Sequence, residues 1–188
     1  MDKIVIDIET KNSFADVGGQ HNIDKLLVSF AGVYSYNQDK YLSFQENEMD
    51  KLAALLQKAG LIIGFSINRF DLPVLGKHCK FNLMAIPRLD LLDEIELVLG
   101  HRISLDRLAK TNLGIGKTHS TGLEAIRLYN EGKMDELASY CLNDVKITKE
   151  LYDLAKAQGH LLVPKRDSDE ISKAQFNWKE EILPATLF

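Results

Sequence analysis

The first ten residues alternate in a way that predicts a strand. In Lys3-Ile4-Val5-Ile6-Asp7-Ile8-Glu9-Thr10 the period of two puts Ile4, Ile6 and Ile8 on one face and Val5, Asp7 and Glu9 on the other. So many β-branched apolar residues predict a central strand covered on both sides. Its end nevertheless sets two carboxylates side by side, roughly 7 Å apart by strand rise. In a dry site, like charges lose hydration and repel. A hard divalent cation with oxygen ligands is the economical remedy. Were the strand end in water, Asp-x-Glu would be merely polar, and the spacing alone leaves both readings open.

Beyond it, Lys11 to Asp24 is polar and carries Gly18-Gly19, which predicts a loop beside the carboxylates. Lys25 to Tyr34 predicts a second strand, turning at Asn37-Gln38-Asp39 into a third, Lys40 to Phe44. Leu52, Leu55, Leu56 and Ala59 follow the helical period, so a helix is expected over Met49–Ala59, ended by Gly60. Leu61 to Gly64 reads as a buried strand parallel to the first. Asp71 precedes Leu72-Pro73 and has the place of a helix cap. Arg88 to Leu92 reads as extended before turning helical, and Ser104 as the N-cap of a helix to Thr111. Two more helices are expected, Gly122–Tyr129 and Met134–Ala157. On the second, Tyr140 and Asp144 lie one turn apart and look in the same direction. From Gly159 the helical period is lost, and His160–Val163 with Ser172–Trp178 predicts a hairpin that packs the single tryptophan on the domain. The expected architecture is α/β, a mixed sheet flanked by helices. We divide it into a domain over 1–158 and a C-terminal extension over 159–188 packed on it.

Composition adds little to this picture. At 188 residues, 45% hydrophobic and 27% charged, the chain is an ordinary globular domain. No apolar run is long enough to span a membrane, the N-terminus goes straight into a strand without a leader pattern, and Cys79 and Cys141 form no paired motif. A cytoplasmic protein with reduced thiols is expected. The net charge of −4 does not advertise nucleic-acid binding, but it is unevenly spread. Residues 101–133 hold Arg102, Arg107, Lys110, Lys117, Arg127 and Lys133 against only Asp106, Glu124 and Glu131. Such a segment either faces a phosphate backbone or is a solvated helical surface. Gly114-Ile115-Gly116-Lys117-Thr118 invites a phosphate-loop reading, which fails because Thr111 stands where the first glycine belongs. A loop between helices is the better reading, with Lys117 and His119 near the substrate.

Four acidic groups thus fall at three element ends: Asp7 with Glu9, Asp71, and Asp144 with Tyr140 beside it. In that order they resemble the 3′–5′ exonuclease domain of the ribonuclease H-like superfamily, in its DEDDy subclass. Val5-Ile6-Asp7-Ile8-Glu9-Thr10 is similar to the first motif, and Gly64-Phe65 through Phe70-Asp71-Leu72-Pro73 to the second motif of family B polymerase proofreading domains. Tyr140-Cys141-Leu142-Asn143-Asp144 has the tyrosine of the third, whereas the sister subclass has a histidine where Ser139 stands. One departure is Ser66, in the place of an asparagine that helps hold the substrate, with Asn68 two residues on.

The resemblance implies stepwise hydrolysis from 3′ ends by two ions, Mg²⁺ or Mn²⁺, with release of nucleoside monophosphates. Asp7 would be shared by both ions, Glu9 and Asp144 would complete one site, and Asp71 the other. Tyr140 would orient or deprotonate the attacking water. Thr10, Ser66, Asn68, Phe70, Lys117 and His119 are the expected substrate contacts. The implied partners are single-stranded DNA or RNA 3′ ends and a helicase or other nucleic-acid-processing protein, with no membrane. Two alternatives stay open: a non-catalytic nucleic-acid-binding module on this fold, and an unrelated metal-dependent hydrolase.

Overall fold

The computed structural model describes residues 1–115, 122–165 and 170–178. Strand β1 (Asp2–Thr10) lies at the centre of a five-stranded sheet of order β3-β2-β1-β4-β5. Strands β2 (Val28–Ser35) and β3 (Lys40–Gln45) extend it antiparallel on one side. On the other side β4 (Ala59–Gly64) and β5 (Arg88–Asp90) run parallel to it. The alternation expected of β1 is met. Ile4, Ile6 and Ile8 enter a core with helices α1 (Met49–Leu56) and α2 (Asp71–Leu75), while Val5 enters the opposite one. Each buried isoleucine contributes roughly 1.5–3 kcal/mol. A one-residue slip would forfeit all three and turn Asp7 and Glu9 into that core.

The second face is covered by α3 (Leu91–Leu99), α4 (Leu105–Leu113) and α6 (Met134–Gln158), with α5 (Gly122–Asn130) against α6. Helix α6 buries Leu137, Cys141, Asp144, Val145, Thr148, Leu151 and Tyr152 along one stripe, so Asp144 is part of its inward face. It lies close on the sheet because residue 32 is glycine. A Cβ there would stand 3.0–3.1 Å from Val145, Cys141 and Leu142 side-chain atoms. Gly32 pairs with Asp7 in the β1–β2 register, so this close approach lies directly beside the carboxylate.

Several boundaries differ from expectation: α3 already takes Leu91 and Leu92, and the last strand ends at Gln175, short of Trp178. Helix α1 stops at Leu56, and Ala59 and Gly60 open β4. The all-buried run Ala59–Gly64 serves better as a strand paired to β1 from Asp2 onward, and Ala59 fits the start of a strand as well as the end of a helix. Residues Lys25-Leu26-Leu27 are not strand. A 3₁₀ turn over Gln20–Lys25 takes the first of them, and β2 begins at Val28 after a register shift between Glu9 and Thr10.

The tail forms a separate hairpin, β6 (His160–Pro164) with β7 (Ile171–Gln175). Leu161, Val163 and Ala174 join the core that holds Val5. Trp178 stacks between Tyr152 and Phe176 at centroid distances of 5.7 and 4.5 Å, and its Nε1 donates to Glu94 at 2.8 Å. No helix among the described residues is long and apolar enough to cross a membrane.

Candidate active site

A cleft of about 650 Å³ opens at the carboxyl ends of β1 and β4, where a sheet of this kind leaves a crevice. Asp7, Glu9, Asp71, Asp144 and Tyr140 all line it, as do Ser66, Phe70, Arg69 and Arg102. Four carboxylates separated by up to 137 positions in the sequence therefore share one wall system. Glu9, Asp71 and Asp144 are buried, and Asp7 is half-buried.

Each is carried there by its element. Asp7 and Glu9 share the β1 face that looks toward α6, and Asp144 comes from the inward stripe of α6. Asp71 begins α2, and the expectation that it caps this helix needs revision. Phe70 holds the cap position, Asp71 is the first helical residue, and its Oδ1 accepts the backbone N–H of Ile8 at 3.0 Å. Burial pushes the Asp71 carboxyl up to about 7, against N–H donors from Ile8 and its own backbone that lower it, with repulsion from Asp90 and Asp144 added.

Cys141 lies fully buried beneath this group. Its Sγ is 3.4 Å from the Asp7 carbonyl and 3.6 Å from Asp7 Oδ2. Burial first, then Asp7, Glu9 and Asp144, hold the thiol well above its ordinary pKa, so it stays a neutral donor. Tyr140 is also pushed up, first by burial and then by Glu9, Asp144 and Asp7.

Ligand atoms of Asp7, Glu9 and Cys141 all lie within 4.8 Å of one another. A hard divalent ion bonds oxygens at roughly 2.0–2.6 Å, so the Asp7 and Glu9 oxygens can meet around one, while the neutral Cys141 thiol keeps its hydrogen bond to Asp7. Carboxylates gathered in one cleft, with that of Asp71 pushed up by its burial, are the donor set that such an ion stabilises. The residues present fit the group.

The second motif's loop is built by a residue that the sequence reading did not single out. Asp90, buried at the end of β5, accepts the N–H of Ser66 at 2.8 Å through Oδ1 and that of Asn68 at 2.9 Å through Oδ2. The same carboxylate caps α3 through Leu92 and Asp93. It thereby fixes the loop in which Ser66 adopts φ 69, a left-handed conformation costing a serine roughly 1–2 kcal/mol. In sequence Asp90 falls inside the apolar Arg88 to Leu92 stretch, and its loop partners lie 22 and 24 residues earlier.

The expected substrate contacts divide. Ser66 and Phe70 line the cleft. Thr10 is buried, with its hydroxyl donated to the Asn12 carbonyl at 2.9 Å. The Asn68 amide donates to Asp93 Oδ2 at 2.8 Å and accepts from Arg88 at 2.7 Å. Lys117 and His119 lie outside the described residues. From the basic segment Arg102 reaches the cleft, whereas Arg127 pairs with Glu124 and Glu131 on the exposed face of α5.

The chain belongs to the RNase H superfamily, whose family model matches residues 4–156. It is 24% identical, over 213 aligned residues, to the DNA-directed DNA polymerase of Enterobacteria phage T3, an alignment covering 89% of this chain and 30% of that protein. Among solved structures, the family B DNA polymerase from the hyperthermophilic archaeon Pyrobaculum calidifontis superposes with a TM-score of 0.62 at 17% identity, covering 83% of this chain and 24% of that one. At that identity the likeness is one of fold. The chain spans less than a third of either polymerase.

Proposed function

We propose that the protein is a metal-dependent nuclease, and specifically a 3′–5′ exonuclease that removes nucleoside monophosphates from single-stranded ends. The single observation that carries this reading is the meeting of Asp7, Glu9, Asp71, Asp144 and Tyr140 on one cleft. Membership of the RNase H superfamily supports it, and the two polymerase relatives supply nucleic acid as the substrate class.

Asp7, Glu9, Asp71 and Asp144 would hold two divalent cations, magnesium or manganese, which when bound supply an acidified water and cancel charge on the phosphate. The chain's own contribution is position and charge. The Ile8 amide and the buried wall fix Asp71. Cys141 donates to Asp7 from behind and orients it. Tyr140 is held protonated in the metal-free fold, first by burial and then by Glu9, Asp144 and Asp7. It therefore orients the attacking water through its hydroxyl rather than removing a proton from it. Ser66 and Phe70 flank the path of the strand's terminal nucleotide.

The test is incubation of 5′-labelled single-stranded DNA and RNA with magnesium, manganese or a chelator, with products resolved by length. A ladder shortening one nucleotide at a time with either metal, and none with the chelator, supports the reading. Tight binding with no cleavage under any metal returns the chain to a non-catalytic binding module.

A further inference from the structure

Four carboxylates make the cleft strongly negative, and two divalent cations would bring them only to neutrality. A polyanionic strand therefore needs positive charge elsewhere on the wall. Among the described residues that line the cleft, the cations are Arg69 and Arg102. They come from different segments, the loop after β4 and the link between α3 and α4, yet converge on one carboxylate. Arg102 Nη1 donates to Glu96 Oε2 at 2.6 Å and Arg69 Nη2 donates to the same oxygen at 2.8 Å. Asp93 Oδ1 stands 3.4 Å from Arg102 Nη1 and 3.8 Å from Arg69 Nε. Arg102 Nη2 also donates to Ser66 Oγ at 3.2 Å, which ties it to the second motif's loop.

Both acids sit on α3, the helix that Asp90 caps, so the guanidinium groups are anchored to the same element that shapes that loop. The side chains are 58% exposed for Arg69 and 29% for Arg102. Ion pairs this open to water are worth about 0–1 kcal/mol. They can hold a long side chain in place without using up its capacity to bind. A guanidinium has five N–H donors in a planar fork suited to two oxygens of one phosphate. The contacts described engage only part of each fork.

We propose that Arg69 and Arg102 form a phosphate clamp, tethered by Glu96 and Asp93, that grips the sugar–phosphate backbone of a single strand beside the carboxylates. The proposal rests on the nuclease reading and names the groups that recognise its substrate. The clamp reads the phosphate rather than the base, so it favours no particular sequence. It acts on strand binding and leaves the carboxylates' affinity for cations untouched.

The experiment compares the wild-type chain with Arg69→Gln, Arg102→Gln and the double variant. A fluorescein-labelled ten-nucleotide oligothymidylate in calcium reports binding across a salt series, and steady-state cleavage in magnesium reports KM and kcat. Each single variant should weaken binding about tenfold at low salt, and the double variant about a hundredfold. The slope of log affinity against log salt should fall by about 0.7 per lost contact. The catalytic loss should fall on KM more than on kcat, and Mn²⁺ affinity should match the wild type. Arg102→Lys, which keeps charge but not the fork, should retain the salt slope with an intermediate KM, and it replaces Arg102→Gln if that variant melts early. A double variant with wild-type KM and salt slope overturns the clamp while wild-type cleavage still upholds the nuclease reading. A wild-type chain that neither binds nor cleaves the oligonucleotide overturns both.

Discussion

The backbone N–H of Ile8 donates to the side chain of Asp71 at 3.0 Å. Ile8 is the residue between Asp7 and Glu9, so the strand that presents two carboxylates to the cleft also holds the third. A single hydrogen bond thus joins segments 63 positions apart at the point where they must meet. Substitutions at residue 71 separate its two tasks. Asp71→Asn keeps an oxygen for the Ile8 amide and removes a buried charge. It should raise the melting temperature of the metal-free protein while lowering turnover at least a hundredfold. Asp71→Ala strands the Ile8 amide and should cost about 1–3 kcal/mol of stability, read by denaturant unfolding.

The same carboxylate sets a pH dependence. Its pKa is raised from 3.8 to about 7 in the fold, chiefly by burial, and that of Asp90 is raised for the same first reason. A group that binds its proton more tightly when folded contributes stability that is complete below its unfolded pKa and lost as pH climbs through the folded value. The metal-free protein should therefore lose stability between about pH 4 and pH 7. Added magnesium or manganese should flatten that fall, and Asp71→Asn should remove much of it. Thermal melts across this range with and without the cation test the claim. A metal-free protein more stable at pH 7 than at pH 5 contradicts it.

Much of this arrangement was legible in the sequence, and the illegible parts share a cause. The period of two in β1 reports which side chains share a face, and it placed Asp7 and Glu9 correctly because both neighbours along the strand obey it. The four-residue spacing of Tyr140 and Asp144 works likewise within α6. Asp71 was readable as a residue at a helix start but not as the acceptor of Ile8. Asp90 was read only as part of an extended stretch, not as the anchor of Ser66 and Asn68. Local periods describe one element at a time, whereas these bonds join elements. The misplaced end of α1 has a different origin, since Ala59 satisfies both the helical period and a buried strand, and the pairing with β1 decides.

Tyr140 and Asp144 share a helix but have different tasks in the proposed mechanism. Asp144→Asn removes charge that the proposed cation site relies on, so Mn²⁺ affinity and turnover should fall together. Tyr140→Phe keeps the buried ring and deletes the hydroxyl. With the phenol held protonated, the loss should be near 10²-fold in kcat, the lower end for groups acting on a transferred proton, with Mn²⁺ affinity near normal. Calorimetric titration alongside single-turnover cleavage separates the two. Full-rate cleavage by Tyr140→Phe would reduce Tyr140 to packing.

Gly32 links the sheet to the site from outside the cleft lining. A Cβ there meets Cys141, Leu142 and Val145 side chains at 3.0–3.1 Å, tight enough that they must give way by a few tenths of an ångström. Gly32→Ala should push α6 outward by a few tenths of an ångström and carry Tyr140 and Asp144 with it. Overpacking of this kind costs about 1–3 kcal/mol. Turnover should fall more than tenfold in protein that remains folded by circular dichroism. A variant with wild-type turnover would mean that the site tolerates this displacement.

The most direct test of the central claim, that these carboxylates remove nucleotides from a strand's 3′ end, is a comparison of two 5′-labelled oligonucleotides in magnesium. One has a free 3′ hydroxyl. The other is blocked only by a 3′-terminal inverted nucleotide. The free strand should shorten stepwise while the blocked one persists at full length, and a chelator should halt the shortening. Equal degradation of the two would contradict the exonuclease assignment.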